Sequence, residues 1–287
     1  MVFYMSSSNT LFKWDGDDYS KKSKSQKYRA RASLKGKLKK GIKVLDVGCG
    51  DGDNTVFMAD EVSPGKVIGL DKDISMLKKA SFLRRKNLSF VHADAIDFKL
   101  SEKFDLITSF FCLQWIPEDF LEKTFKNFHA HLNDEGKIHI LLPCYDFPHE
   151  IIKGVANSPK WKTYFQNYRE PQTFLNESAY QKILDHTHFG GSVERVLSKH
   201  PTDIEDFIGF TRQWCGCYFV LKDQKLQEDF INDIREKLRE INHGREEFVM
   251  HQESIHIIAK RLAPHLSHTH KTEEKNENSQ RVIKNKL

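Results

Sequence analysis

Between residues 42 and 142 short apolar runs stand apart, separated by polar turns and by amphipathic stretches. The runs are Ile42–Val47, Lys66–Asp71, Leu88–His92, Phe104–Ser109 and Lys137–Leu142. Their length and their content of Val, Ile and Leu predict strands buried on both faces. The stretches between them predict helices over Asn54–Asp60, Ile74–Arg85 and Phe120–Leu132, the last stopped near Gly136. Ile74, Leu77 and Phe82 are the expected inner positions of the second. Ser63-Pro64-Gly65 and Ser101-Glu102-Lys103 are turns. Strands alternating with helices in this rhythm predict an α/β fold, a doubly wound parallel sheet covered on both faces.

The flanks differ. Trp14 to Lys40 predicts a helix with Tyr19, Ala30, Leu34 and Leu38 on one face, ended by Gly41. After Pro143 the rhythm changes. His149–Thr187 is aromatic-rich and helical in pieces, broken at Pro159 and Pro171. Strand alternation returns over Gly191–Lys199, helix over Thr202–His243, and a β-rich run over Glu253–Ala259. Residues 1–13 and 264–287 carry too few apolar positions for a core and are expected to be disordered.

The chemistry starts where the first apolar run breaks, in Asp46-Val47-Gly48-Cys49-Gly50-Asp51-Gly52-Asp53. Glycines there let the backbone come close to a ligand. A second acid, Asp71, ends the next run. Two strands, a glycine turn and an acid at the end of the second strand make a nucleoside-binding half-domain. A dinucleotide fingerprint calls for a third glycine where this chain has Asp53. An acid at that helix N-terminus opposes a pyrophosphate, whereas Asp46, Asp51 and Asp53 together suit a cationic, phosphate-free ligand. S-adenosylmethionine has that chemistry.

The Asp46-Val47-Gly48-Cys49-Gly50 run resembles the first motif of the class I S-adenosylmethionine-dependent methyltransferases. The resemblance implies a seven-stranded Rossmann-like methyltransferase sheet whose last two strands, here Val193–Lys199 and Ile255–Lys260, form an antiparallel pair. It also implies a helical cap near 148–188 and 203–243, within a domain spanning 14–263. By the same resemblance Asp46 orders the loop around the cofactor's ammonium end, with Gly48 and Gly50 against the ligand. Asp71 accepts from the ribose hydroxyls, and Lys72 and Ile74 flank the adenine. Asp94 and the Ala95 amide meet the adenine edge, and Ser109 and Phe110 face the methionine portion.

The run Ser109-Phe110-Phe111-Cys112-Leu113-Gln114-Trp115, with Trp14, Tyr19 and Gln26 upstream, is similar to a narrower group. It holds the juvenile hormone acid, trans-aconitate and malonyl-carrier-protein methyltransferases, the first being nearest through Asn157-Ser158-Pro159-Lys160-Trp161. There the residues matching Gln26 and Trp115 hold the substrate carboxylate. Gln26 stands where the trans-aconitate enzymes have arginine, which disfavours a polyacid. The implied reaction is carboxyl O-methylation of a small-molecule acid, needing no general base and no metal. Phe147, Trp161, Tyr164, Phe165, Tyr168 and Phe174 either line an apolar pocket, favouring a fatty or terpenoid-like acid, or pack the cap onto the core.

Composition changes this picture little. The 287 residues suffice for one large domain, and no apolar run reaches the ~18 residues of a membrane span. Met1-Val2-Phe3-Tyr4-Met5 is too short for a secretory signal. Five cysteines without framework spacing suggest reduced thiols and a cytoplasmic setting. Cys215-Gly216-Cys217, beside Trp214 and Tyr218, is expected to be buried packing rather than a metal pair. His265, His268 and His270 are expected to be tail residues without a metal. The net charge of +5 is concentrated in Lys21–Lys43, expected to be a solvated helix face. An RNA methyltransferase is the rival suggested by that stretch, but it lacks the interleaved aromatics that stack bases. A non-catalytic cofactor-binding protein is the other rival, and the acids at 46, 71 and 94 oppose it.

Overall fold

The computed structural model describes residues 19–20 and 23–263. The stretches expected to be disordered, Trp14, Lys21, Lys22 and the three tail histidines lie outside the described residues. The chain order is α1 (Lys24–Leu34), β1 (Lys43–Val47), α2 (Asp53–Val62), β2 (Lys66–Asp71), α3 (Ile74–Ala80) and β3 (Leu88–His92). Then come β4 (Phe104–Phe110), a 3-10 turn (Leu113–Trp115), α4 (Glu118–His131), β5 (Leu132–Pro143) and α5 (Phe147–Ala156). The last elements are α6 (Glu177–His186), β6 (Phe189–Asp203), α7 (Ile204–Trp214), α8 (Gly216–Val220), α9 (Gln224–Ile241) and β7 (Glu247–Arg261).

These strands form one seven-stranded sheet in the order β3-β2-β1-β4-β5-β7-β6. The first five are mutually parallel, β7 is antiparallel to β5, and β6 is antiparallel to β7. The strand order reverses between β1 and β4. That reversal opens the crevice at the carboxyl ends of the strands where such sheets bind ligands.

Two hydrophobic layers cover the sheet. Ala30 and Leu34 of α1 and Met58, Ala59 and Val62 of α2 pack on Val44, Val67, Leu106 and Leu141. On the opposite face Leu121, Phe125 and Phe128 of α4 join Tyr180 and Leu184 of α6 over Leu45, Ile107 and Ile140. A third cluster joins Ile151 of α5, Phe207 and Trp214 of α7 and Phe230 of α9 with Trp161 from the turns after α5. On α9, Phe230, Ile231, Ile234 and Leu238 are buried, an apolar stripe at helical spacing. Asp223 caps that helix, accepting from Leu226 N at 2.9 Å, a contact that contributes about 1 kcal/mol.

Several expectations need correction. Helix α1 ends at Leu34, not Lys40, because Gly36 adopts φ +74° and leaves the helical region. Helix α3 stops at Ala80. Its inner residues are Met76 and Ala80, while Ile74 is 55% and Phe82 81% exposed. Of the stretch expected to form the cap, α6 instead covers the sheet through Tyr180 and Leu184. Strands β6 and β7 run 15 residues each, extending well past the predicted segments as a hairpin arm paired from Phe189↔Arg261 to Asp203↔Glu247.

Candidate active site

The glycine turn joins β1 to α2. Gly48 and Gly50 have φ of +74° and +55°, conformations that cost L side chains energy. Gly48 is also crowded: a Cβ there would stand 2.2 Å from Cys112 Sγ, because the loop after β4 crosses directly over the turn. Gly50 lies beneath the Tyr19 ring, 3.5 Å from where its Cβ would be.

Two carboxylates, one buried and one half-buried, hold this turn. Asp46, 2% exposed, sits in register with Thr108 of β4. Its oxygens accept from Thr55 Oγ1 at 2.7 Å and Thr108 Oγ1 at 2.9 Å. Burial pushes its carboxyl up to about 6 against the pull of those two donors. Asp71 accepts from Gly50 N at 2.8 Å through Oδ2 and from Asp73 N at 2.9 Å through Oδ1. Burial raises its carboxyl while those amides lower it. Each Asp71 oxygen retains acceptor capacity, since a carboxylate offers about four lone-pair positions.

The other acids of the turn have a different task. Lys27 of α1 lies 2.6 Å from Asp51 and 3.6 Å from Asp53, and Arg31 lies 2.6 Å from Asp53. They are matched by bases across the turn, so they clamp α1 over the cleft rather than waiting for a cationic ligand. The basic stretch is therefore not simply a solvated face. Arg29 points inward too, with its guanidinium 5.1 Å from the Phe111 ring and bonded to Gln252 Oε1 and Ser254 Oγ.

The cleft gathers Tyr19, Gln26, Lys27, Asp46, Gly48, Cys49, Asp51, Asn54, Phe110 and Phe111. Gln26 thus reaches the glycine turn, and its Oε1 accepts from the Tyr19 hydroxyl at 3.2 Å. Asp94 and Ala95 follow β3, where Asp94 Oδ1 accepts from Ile96 N at 2.9 Å. Lys72 is exposed beside Asp71. Ser109 is fully buried and its hydroxyl donates to Val47 O at 2.9 Å. It ties β4 to β1 behind the turn and is not among the residues that line the cleft. Trp115 is not among the cleft's lining residues. It stands in the turn after β4, half-buried against the third cluster, which contains Trp214.

Lys27, Arg29 and Arg31 were expected on a solvated face, and Phe111 and Cys112 carried only a resemblance; Phe111 has a φ of +54°, strained for a non-glycine residue. The unusual Phe110-Phe111-Cys112 run was the available signal. Cys215 and Cys217 are buried in the third cluster, and among the described residues no cluster of His, Cys, Asp and Glu could hold a metal.

These donors and acceptors fit a phosphate-free nucleoside. An acceptor-only carboxylate ends β2, and the bases closest to the turn are engaged by its acids instead of being open to phosphate. A methyltransferase-domain family matches residues 44–136, from β1 to the start of β5. The 235L protein of Invertebrate iridescent virus 6, named a methyltransferase, is 30% identical over 182 residues, covering 63% of this chain and 68% of that relative. The chain belongs to the class I S-adenosylmethionine-dependent methyltransferases. Trans-aconitate 2-methyltransferase of Deinococcus radiodurans is 30% identical over 148 residues. That match takes in half of this chain and 56% of the relative's length. The fold is shared with phosphoethanolamine N-methyltransferase 2 of Haemonchus contortus, solved with S-adenosylhomocysteine. The superposition has a TM-score of 0.55 at 17% identity and covers 86% of this methyltransferase and 57% of that chain. Among the described residues no helix is long and apolar enough to cross a membrane.

Proposed function

We propose that this methyltransferase methylates a carboxylate oxygen of a small apolar acid, with Gln26 and Trp115 holding the acid. The observation that carries it is the placement of Gln26. The residue lies in the cofactor cleft beside Gly48 and Asp46. Tyr19 occupies its Oε1, so Nε2 is the side of the amide that can donate to an acceptor oxygen. The resemblance to the juvenile hormone acid and trans-aconitate group supports the same assignment.

On the cofactor side, Asp71 accepts from the ribose hydroxyls, and Asp94 with the Ala95 amide meets the adenine edge. Asp46 sets the turn, Gly48 and Gly50 allow close approach, Phe110 faces the methionine portion, and Lys72 flanks the adenine. When bound, S-adenosylmethionine supplies the electrophilic methyl group and a neutral thioether leaving group. The protein's own task is orientation and exclusion of water. A carboxylic acid with a reference pKa near ~4 is already ionised at neutral pH, so no base is required. Holding nucleophile and methyl in line contributes roughly 7–11 kcal/mol in well-oriented systems. Neutral donors on Gln26 and Trp115 fix the carboxylate without an ion pair that would blunt it.

The test is a split between turnover and cofactor binding. Gln26→Ala and Trp115→Ala should each lower kcat/KM for decanoic acid by about 10- to 100-fold, as loss of a donor to a charged group implies. S-adenosylhomocysteine affinity should change by less than about threefold. Full activity in both variants overturns the assignment.

A further inference from the structure

Among the buried polar atoms without a partner, which include Thr211 Oγ1, Gln172 Nε2 and Arg212 Nε, two belong to neighbouring aromatic rings. His149 is 8% and Trp214 9% exposed, yet His149 Nε2 and Trp214 Nε1 have no hydrogen-bond partner. Buried polar atoms are normally paired, so two orphans side by side call for an explanation. The rings lie 4.6 Å apart between centroids and are tilted by 45°. The rings are tilted against each other and do not bond each other, so both nitrogens are unpartnered. Phe174 and Tyr145 complete the surround, their centroids 4.7 and 5.2 Å from that of His149.

The polarity of each nitrogen can be assigned. His149 Nδ1 lies 2.9 Å from Asp146 Oδ1. A carboxylate only accepts, so Nδ1 carries the proton there. The 3.4 Å approach of Asp146 N to the same nitrogen is long and does not reverse this. Asp146 is itself fixed, accepting from Glu253 N at 3.2 Å through Oδ2. In the tautomer with its proton on Nδ1, the ring presents Nε2 as an acceptor. The indole N–H of Trp214 is a donor only. One donor beside one acceptor matches a hydroxyl group, which does both. A carboxylate, ketone or ether only accepts and leaves His149 Nε2 unmet.

The pair also adjoins residues proposed above to hold the substrate. Trp115 packs against the cluster containing Trp214. Arg29, three residues after Gln26 on α1, feels the charge of Asp146. Gln26, Arg29, Asp146 and His149 thus run from the cofactor cleft into the cap. Most of the other cap aromatics serve packing: Trp161 and Phe165 stand 5.1 Å from Phe230, Trp161 donates to Asp233 at 2.6 Å, and Phe147 meets Phe248. That places recognition at the His149–Trp214 pair and away from a broad greasy wall.

We propose that His149 and Trp214 form a second recognition point, among the helices of the third cluster, which takes a neutral hydroxyl group on an apolar substrate. As an account of which acid is methylated, it rests on the carboxylate reading above. The binding chemistry of the pair does not depend on that reading.

Calorimetry on the full chain with two isomers, octan-1-ol and 1-methoxyheptane, tests the pair directly. The ether lacks the O–H that His149 Nε2 needs. The alcohol should bind about tenfold tighter, the factor expected for one well-placed buried hydrogen bond. The ratio should fall to about one in Trp214→Phe and in His149→Phe. Equal binding of the isomers by the wild type, which needs no variant to fold, overturns the proposal. So does a preference that both variants retain, or octanoate binding tighter than the alcohol in a Trp214-dependent way. Methyl transfer to decanoic acid, run in parallel, separates the two claims. Transfer without isomer preference removes the hydroxyl site and keeps the carboxylate reading. Preference without transfer to any acid does the reverse.

Discussion

Asp71→Asn is the most informative perturbation of the proposed cofactor site. Each Asp71 oxygen already accepts one backbone amide, from Gly50 at 2.8 Å and from Asp73 at 2.9 Å. The capacity that remains is proposed to receive two ribose hydroxyls. Hydrogen bonds to a charged acceptor contribute roughly 1.5–3 kcal/mol each. Asparagine removes the charge and turns one oxygen into a donor, so one bond is lost and the other weakened. A loss of about 2–4 kcal/mol follows, or roughly 30- to 1,000-fold in Kd. Calorimetry with S-adenosylhomocysteine reads this. The same titration with a 2′,3′-dideoxy analogue should show almost no difference between the proteins, since it has no hydroxyls to lose. A thermal melt accounts separately for the disturbed backbone contacts. If the variant loses less than about threefold, or loses equally for both ligands, Asp71 does not hold the ribose.

Two further outcomes follow from the same turn. Gly48→Ala places a Cβ 2.2 Å from Cys112 Sγ at φ +74°. The left-handed backbone and the overlap together should cost about 2–4 kcal/mol in urea unfolding. Cys112→Gly should recover part of the loss, and full stability of the single variant would contradict the crossing of the two loops. Asp46 titrates at about 6 in the folded chain against 3.8 in its ordinary state, so the folded state holds the proton more tightly. Its contribution to stability without cofactor is fully present below about pH 4 and lost as pH rises through 6, roughly 3 kcal/mol in all. The stability difference between wild type and Asp46→Asn should therefore shift in favour of wild type as pH falls from 7.5 to 4.5. A pH-independent difference would refute the buried, proton-binding Asp46.

The sheet was legible where its physics is local. Buried parallel strands are continuous apolar runs, and β1, β2 and β4 end in the acids and aromatics that line the cleft. The glycine turn could be recognised from its backbone demands alone. The hairpin arm of β6 and β7 was not, because Glu194, Arg195, Ser198 and Glu253 interrupt the alternation and its length is set by distant pairings, from Asp203↔Glu247 to Phe189↔Arg261. Phe82 misled by its apolarity: α3 ends before it and leaves it in solvent. The acids of the turn misled differently. Asp51 and Asp53 looked like a field for a cation, whereas Lys27 and Arg31, more than 20 residues upstream, already face them. No periodicity reports a pairing over that distance. The same holds for Asp146, His149 and Trp214, which only the fold brings together.

Transfer of a labelled methyl group from S-adenosylmethionine to decanoic acid tests the central claim most directly, with the product split by mild base. A carboxyl methyl ester releases volatile methanol under that treatment, whereas methyl ethers and methylamines keep the label. The account predicts base-labile, acid-dependent label that falls at least tenfold in Gln26→Ala. Base-stable label on RNA or on an amine, with no transfer to any fatty, terpenoid or hydroxylated acid, would contradict it.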